Sequence, residues 1–219
     1  MTNWLLSLDT SAGTTVAVLE GGIARSEINI PDNMKHAESI ATAIVDALEQ
    51  AGIKSSQISS VVVGRGPAPF TGLRVGIASA MMFAEGAEAK LFGVVSLDAI
   101  AKSVLEDTSI LASLSETTPL LITADARRSE VYWALYSGLT KAGAPVRIDG
   151  PGVIKPAALD ELMNERGLSP ITTSLPISAL KLGQVFEAQL IDGNAEQDVT
   201  ALYLRSPDAV PTPAKKVTG

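Results

Sequence analysis

Residues 61–86 read VVVGRGPAPFTGLRVGIASAMMFAEG, and this stretch decides how the chain is organised. An apolar run typical of a buried strand leads into a loop rich in glycine and proline, and then into a long apolar helix. The loop lacks the Gly-Lys-Ser/Thr of a Walker A phosphate site, and Pro67 and Pro69 have no N–H to offer to phosphate. We therefore interpret the loop as fixing the direction of the helix, with Thr71 as its N-cap.

The helix after this loop is apolar on every side. Within residues 73–84 the only charged side chain is Arg74. A helix that lies on an open sheet normally has a polar face exposed to solvent. Small residues also recur every fourth position, which lets another backbone approach closely. Two explanations remain open. Either the amphipathic helix predicted at 37–51 covers the exposed side, or both helices together present a surface to a second protein.

Composition excludes several classes of function. The chain has 219 residues and a net charge of -7, so we do not expect this chain alone to bind nucleic acid. It has no cysteine, which excludes thiol catalysis and disulfides, and its single histidine, His36, excludes a two-histidine zinc helix. The N-terminus does not resemble a signal peptide and no apolar run would span a bilayer, so we expect a cytoplasmic protein without membrane contact.

The order of elements predicts two α/β lobes. Residues 4–30 are typical of a three-stranded meander, and strands then alternate with helices. The polar stretch 106–119 is the best candidate for a boundary, after which a weaker version of the pattern follows, including the turn-rich residues 138–152. We predict an N-terminal lobe at 1–106 and a smaller C-terminal lobe at 107–219 with a frayed Pro-rich end. This is the plan of the actin-like (ASKHA, ribonuclease H-like) α/β fold, with a mixed sheet and flanking helices in each lobe.

A few polar residues echo the phosphate-binding hairpins of actin-like kinases. Asp9 and Ser11 lie in the first hairpin, and Asp125 lies at a turn between two later strands. For Asp9 and Ser11 we favour another explanation, because Asp, Ser and Gly are also the ordinary residues of tight hairpins. For Asp125 two explanations stay open, a second phosphate hairpin or a salt-bridged turn with Arg127, Arg128 and Glu130. No Gly-Gly adenosine loop follows in the second lobe. These three residues are therefore a candidate for a vestigial nucleotide site, and no catalytic residue or metal ligand is predicted.

Several motifs in order resemble the TsaB (YeaZ) family of bacterial tRNA modification. They are LSLDTSAGTTVAVLEGG (6–22), KHAESI (35–40), the segment 64–86, VSLDAIA (95–101), ADARRSEVYWALY (124–136) and ALYLRSPDA (201–209). The segment 64–86 is similar to the family's Gly-Pro-Gly-Ser-Phe-Thr-Gly-x-Arg sequence, with Ala68-Pro69 in place of Gly-Ser. Residues 140–195 match only loosely.

The resemblance implies a subunit without catalysis of its own. Such a protein pairs with the transferase TsaD, and with the ATPase TsaE, in making threonylcarbamoyladenosine (t6A) next to the tRNA anticodon. It would meet tRNA only through the complex and carry no intrinsic cofactor. Binding of ATP or ADP with Mg²⁺ in the assembled complex, and a homodimer of the free chain, are left open. The alternatives are a stand-alone actin-like ATPase using Asp9, Ser11 and Asp125, and a peptidase, which has little support with one histidine.

In this family the heterodimer forms through helices of the N-terminal lobe. The expected partner interface comprises His36, Ile40, Ile44, Gly72, Leu73, Gly76, Ile77, Ala80, Met81 and Ala84. On this assignment, Ala80→Glu would leave the isolated protein folded and abolish assembly, because it would bury an unpaired carboxylate at the interface.

Overall fold

The computed structural model describes residues 3–31 and 36–204, and for residues 36–38 the backbone alone. It contains nine strands and six α-helices in this described part of the chain. In chain order these are β1 Trp4–Asp9, β2 Thr14–Glu20, β3 Ile23–Ile30, α1 His36–Ala51, β4 Ile58–Gly64, α2 Phe70–Gly86, β5 Lys90–Val94, α3 Ser96–Leu105, α4 Thr108–Ser113, β6 Leu120–Asp125, β7 Val131–Leu139, β8 Pro145–Ile154, α5 Pro156–Glu165, β9 Ile171–Thr173 and α6 Ala179–Ile191.

The strands form two mixed sheets with the same plan. The first has the order β3-β2-β1-β4-β5, and the second has the order β8-β7-β6-β9. In each sheet an antiparallel meander is extended by a parallel strand, β4 beside β1 and β9 beside β6. The predicted α/β architecture of two mixed sheets with flanking helices is confirmed. The turn-rich segment 138–152 is different from the prediction, because most of it forms the long edge strand β8.

The period-2 alternation of β1 divides its side chains between two cores. Leu6 and Leu8 face α1 and α2 on the outer side of the first sheet. Leu5 faces the opposite side, where it packs against α6. The second sheet is covered by α3 on one face and α5 on the other. Helices α3 and α6 contact each other, so this pair lies between the two sheets.

The predicted division at residues 106 and 107 separates the sheets but not the helices. α6 belongs to the second half of the chain, yet its residues Leu182, Val185 and Phe186 pack against the first sheet. α3 belongs to the first half, yet Ile100 and Val104 pack against the second sheet. Each lobe is therefore completed by a helix from the other half of the chain.

A buried polar cluster joins α3 to the second sheet. The hydroxyl of Tyr136 donates a 2.7 Å hydrogen bond to Asp98, and Nη1 of Arg147 lies 3.5 Å from the same carboxylate oxygen. Burial raises the pKa of Asp98 above 3.8, against the opposing effects of Arg147 and Tyr136, and the charge of Glu196 adds to the rise. Burial likewise raises the pKa of Tyr136, which keeps its hydroxyl protonated as the donor.

This cluster predicts a pH-dependent difference between the wild type and Asp98→Asn. Because the folded pKa of Asp98 is above its unfolded value, the contribution of this group to stability is fully present below pH 3.8 and declines as the pH rises through the folded pKa. The free energy of unfolding of the wild type, relative to that of Asp98→Asn, should therefore fall as the pH is raised. Urea titrations of both proteins across the pH range measure this difference, and a constant or rising difference would contradict it.

Candidate functional site

The loop that connects β4 to α2 is tied to the start of α3. The Arg65 N–H donates to Val94 O at 2.9 Å. Gly66 makes two hydrogen bonds with Ser96: its carbonyl oxygen accepts the Ser96 N–H, and its own N–H donates to the Ser96 hydroxyl oxygen. α2 begins at Phe70, with Pro69 at the N-cap position and no capping side chain. The prediction of Thr71 as N-cap is therefore wrong. The fixed φ of Pro69, -58°, already suits the approach to a helix, so the helix begins one residue before Thr71.

Asp9, at the end of β1, is locked by its own chain. It is 1% exposed, its Oδ1 accepts the Ser11 N–H at 2.6 Å, and its Oδ2 accepts the Ser96 hydroxyl at 2.5 Å. Ser11 and Ser96 also approach each other at 3.0 Å through their hydroxyls. Gly64 leaves the space that the carboxylate occupies, since a Cβ there would overlap Asp9 Oδ2. The structure thus brings Asp9 and Ser11 together, in a hydrogen-bonded lock between β1, the 64–69 loop and α3.

Asp125 lies apart from this lock in the chain's second sheet. It is exposed at the end of β6 and accepts the Arg127 N–H at 2.8 Å. Arg127, Arg128 and Ser129 continue the turn with φ between 53° and 60°, in the left-handed region. The hydrogen bond from the Arg127 N–H to Asp125 and the left-handed residues are the ordinary chemistry of a tight turn.

A cavity of about 350 Å³ lies beside the Asp9 hairpin. Its described lining includes Asp9, Thr14, Thr15, Asn29 and Ile177. Thr15 and Asn29 are already hydrogen-bonded to each other at 2.6 Å. Of the three residues predicted as a vestigial nucleotide site, Asp9 alone is among the described residues that line this cavity. Both of its oxygens accept hydrogen bonds from the chain, from the Ser11 N–H and the Ser96 hydroxyl.

The predicted interface residues divide into buried and exposed ones. Six of them are buried within the chain's own fold, namely Ile40, Ile44, Leu73, Gly76, Ala80 and Ala84. The row of small residues thus allows α2 to approach its own sheet: Gly76 packs directly against Thr10, whose hydroxyl donates to Gly72 O at 2.8 Å. In the free chain these six residues are therefore covered by the fold itself. The side chain of His36 lies outside the described residues.

The face of α2 that does reach solvent lies on the other side of the helix. Met81 is 52% exposed and Met82 is 77% exposed, and Ile77 is half-buried. On the neighbouring helix α1, Val45 is 52% exposed. Among the described residues, then, α1 and α2 do leave apolar side chains uncovered, but these are different residues from most of those expected.

An aromatic clamp marks the start of this face. The guanidinium carbon of Arg74 lies 3.5 Å from the centre of the Phe70 ring, and its Nε donates to the Tyr203 hydroxyl at 2.9 Å. The Phe70 and Tyr203 ring centres are 4.7 Å apart. Sequence reasoning missed Tyr203, because its role depends on the return of residues 195–204 to α2.

Two absences hold for the part of the chain that the structure describes. No three His, Asp or Glu side chains of this part of the chain come together as metal ligands. None of its helices combines the length and apolar character needed to cross a membrane.

Comparisons with known proteins identify the family. A model of the family described as TsaD, tRNA N6-adenosine threonylcarbamoyltransferase, matches residues 29–189. An uncharacterized protein of Mycobacterium tuberculosis (strain ATCC 25618 / H37Rv) is 34% identical over 218 residues, covering 94% of each chain. The tRNA threonylcarbamoyladenosine biosynthesis protein TsaB of Escherichia coli (strain K12) is 30% identical over 162 residues, covering 74% of this chain and 66% of that protein.

A solved structure agrees with this result. A Pseudomonas aeruginosa protein described as similar to the peptidase YeaZ superimposes with a TM-score of 0.74 at 25% identity, covering 93% of this chain and 100% of that one. The fold therefore defines a two-lobed protein of the actin-like class. Within that class, the chain belongs to the TsaB (YeaZ) family.

Proposed function

We propose that this protein is a scaffold subunit of t6A synthesis that binds and supports a TsaD-like transferase and has no catalysis of its own. Its relative from Escherichia coli is named for t6A biosynthesis, and the matching family model is that of the transferase itself. The observation that carries the proposal is the uncovered apolar side of α2, where Met81 and Met82 are 52% and 77% exposed.

This surface has the character of an interface core. Between Phe70 and Ala84 the helix has one charged residue, Arg74, and charge depletion distinguishes the centres of interfaces from the remaining surface. Methionine side chains are flexible and polarisable, so they adapt to the shape of a partner. Relative to the expected interface, the contact surface is shifted around α2, from the row containing Ala80 to the side containing Met81 and Met82.

We infer the other components of the proposed complex from the charge of the chain and from its family. With a net charge of -7, this chain repels RNA, so tRNA would contact the transferase subunit. A TsaE-like ATPase would join the assembled complex, and ATP or ADP with Mg²⁺ would bind there. A homodimer of the free chain would use the same α2 surface, and the complex would work in the cytoplasm.

The double substitution Met81→Glu/Met82→Glu tests the proposal. It should weaken binding of the protein to TsaD from the same organism by at least about 100-fold, because two carboxylates would be desolvated without partners. Both side chains are exposed in the free chain, so the variant should stay folded. Isothermal titration calorimetry measures the affinity, and circular dichroism checks the fold.

The chain offers a closely matched control on α6. Leu190 and Ile191 are adjacent, apolar, and 52% and 77% exposed, the same exposures as Met81 and Met82. Leu190→Glu/Ile191→Glu adds the same charge and should change the affinity by less than about threefold, since surface charges away from an interface act weakly. Absence of any complex with wild-type protein would refute the scaffold role, and equal losses in both double variants would refute the α2 surface.

A further inference from the structure

A groove runs along the start of the exposed α2 face. Its volume is about 500 Å³, and it lies between α2 and the chain segment 199–203. The α2 wall is formed by Arg74, Ile77, Ala78 and Met81. The opposite wall is formed by Val199, Thr200, Ala201 and Tyr203, so the groove is mostly apolar and carries a single cationic side chain, Arg74, at one end.

The walls of the groove are held in place by hydrogen bonds. The Leu202 N–H donates to Arg65 O at 2.8 Å, and Nη1 of Arg65 donates to the backbone and side chain of Asp198 at 2.8 and 2.9 Å. The Gly93 N–H donates to Glu196 O at 3.0 Å. Segment 195–204 is therefore a fixed strap, and a preformed groove binds a ligand at a lower entropic cost than one that must be ordered first.

Arg74 is oriented but has no acidic partner. Its guanidinium stacks on the Phe70 ring, and its Nε donates a hydrogen bond to the Tyr203 hydroxyl. Within the described residues no carboxylate lies within ion-pair distance of it, whereas Arg25 pairs with Glu20, and Arg65 with Asp198. The Nη1 and Nη2 nitrogens make no hydrogen bond to a described residue and are left as a rigid pair of donors beside the apolar groove.

We propose that this groove receives a segment of the TsaD-like partner that places a carboxylate on Arg74 and an apolar side chain against Ile77, Ala78 and Met81. This inference rests on the proposed function. A planar guanidinium fixed on an aromatic ring matches a carboxylate with two parallel hydrogen bonds. The apolar lining favours a protein segment over RNA, which the net charge of -7 also disfavours.

Substitutions of Arg74 test the charge pair. Arg74→Gln should weaken TsaD binding at least about tenfold at about 50 mM salt, and the loss should shrink to about threefold or less at about 500 mM, because salt screens the pair in the wild type. Arg74→Lys keeps the charge without the planar fork, so its loss should be intermediate. Arg25→Gln is the control, since it removes the same charge from an exposed arginine on β3 and should leave the affinity unchanged.

The outcomes separate this inference from the proposed function. If the wild type binds TsaD and Arg74→Gln binds equally well, the docking of a carboxylate on Arg74 is wrong and the scaffold role stands. If the wild type does not bind, both are wrong. The chain's own residues 205–219 follow the strap and contain Asp208. If Asp208→Asn lowers the affinity for TsaD as much as Arg74→Gln does, and the double variant loses no more, then Arg74 pairs with the chain's own Asp208 and the proposed partner carboxylate is overturned.

Discussion

Replacing Ala80 with glutamate should unfold the isolated protein. Ala80 is 0% exposed and packs on the outer side of the first sheet with Leu6, Val61 and Ala84. A glutamate there would both overfill a close-packed core and bury an unpaired charge, at a cost of about 3–5 kcal/mol or more. Since single domains are stable by only about 5–15 kcal/mol, a loss of this size removes much of the folded population. This reverses the expectation from sequence, which placed Ala80 on a partner surface.

The same helix supplies a matched control for that experiment. Ala78 is exposed, so Ala78→Glu introduces the same side chain two residues away without burying it. Its melting temperature should stay close to that of the wild type, while Ala80→Glu should lose cooperative thermal unfolding by circular dichroism. If instead Ala80→Glu melts like Ala78→Glu and fails only in binding TsaD, then Ala80 lies at the partner surface and the burial of α2 described above is wrong.

Gly64→Ala should be the second severe substitution. A Cβ at this position would overlap Asp9 Oδ2 and would lie 2.8 Å from Ser96 Oγ. The carboxylate would have to move, and it would lose the hydrogen bonds that join β1 to α3 while remaining buried. Breaking the bonds of a buried charged group costs about 3 kcal/mol or more. Urea unfolding should show a correspondingly lower free energy of unfolding.

Gly86→Ala is the control for this effect. Gly86 is the last residue of α2, and a Cβ there would meet nothing within 4 Å. Alanine at a helical position that accepts it stabilises by about 0.4–1 kcal/mol, chiefly by restricting the unfolded chain. The two glycine substitutions should therefore change stability in opposite directions. A Gly64→Ala protein as stable as the wild type would show that Asp9 is not locked as described.

The Ala80 and Gly64 substitutions test different parts of the structure. The stability of Ala80→Glu shows which side of α2 faces the core, and therefore which side is left for a transferase subunit. The stability of Gly64→Ala tests the hydrogen bonds of the Asp9 hairpin, which the sequence analysis gave as part of a candidate vestigial nucleotide site. In the free chain, Asp9 directs both oxygens to its own backbone and to Ser96, so a structural role explains its burial.

Sequence alone determined the order of strands and helices in most of the chain, and its short motifs carried the resemblance to the family. Hydrophobic periodicity located the meander, α1 and the strand β4, because these elements bury whole faces and the pattern records that burial. It failed at residues 138–152, where glycine and proline predicted turns and the structure has β8. An edge strand with register shifts tolerates those residues, since it pairs on one side only.

Tertiary structure alone decided which side of α2 is exposed. A helix that is apolar all round gives no periodic signal, so the sequence could not tell the row of Gly76 and Ala80 from the row of Met81. The close contact of Gly76 with Thr10 turned the small residues inward and left the methionines outside. The groove likewise required Tyr203 to return to Arg74 from 129 positions away, a contact that local sequence patterns do not encode.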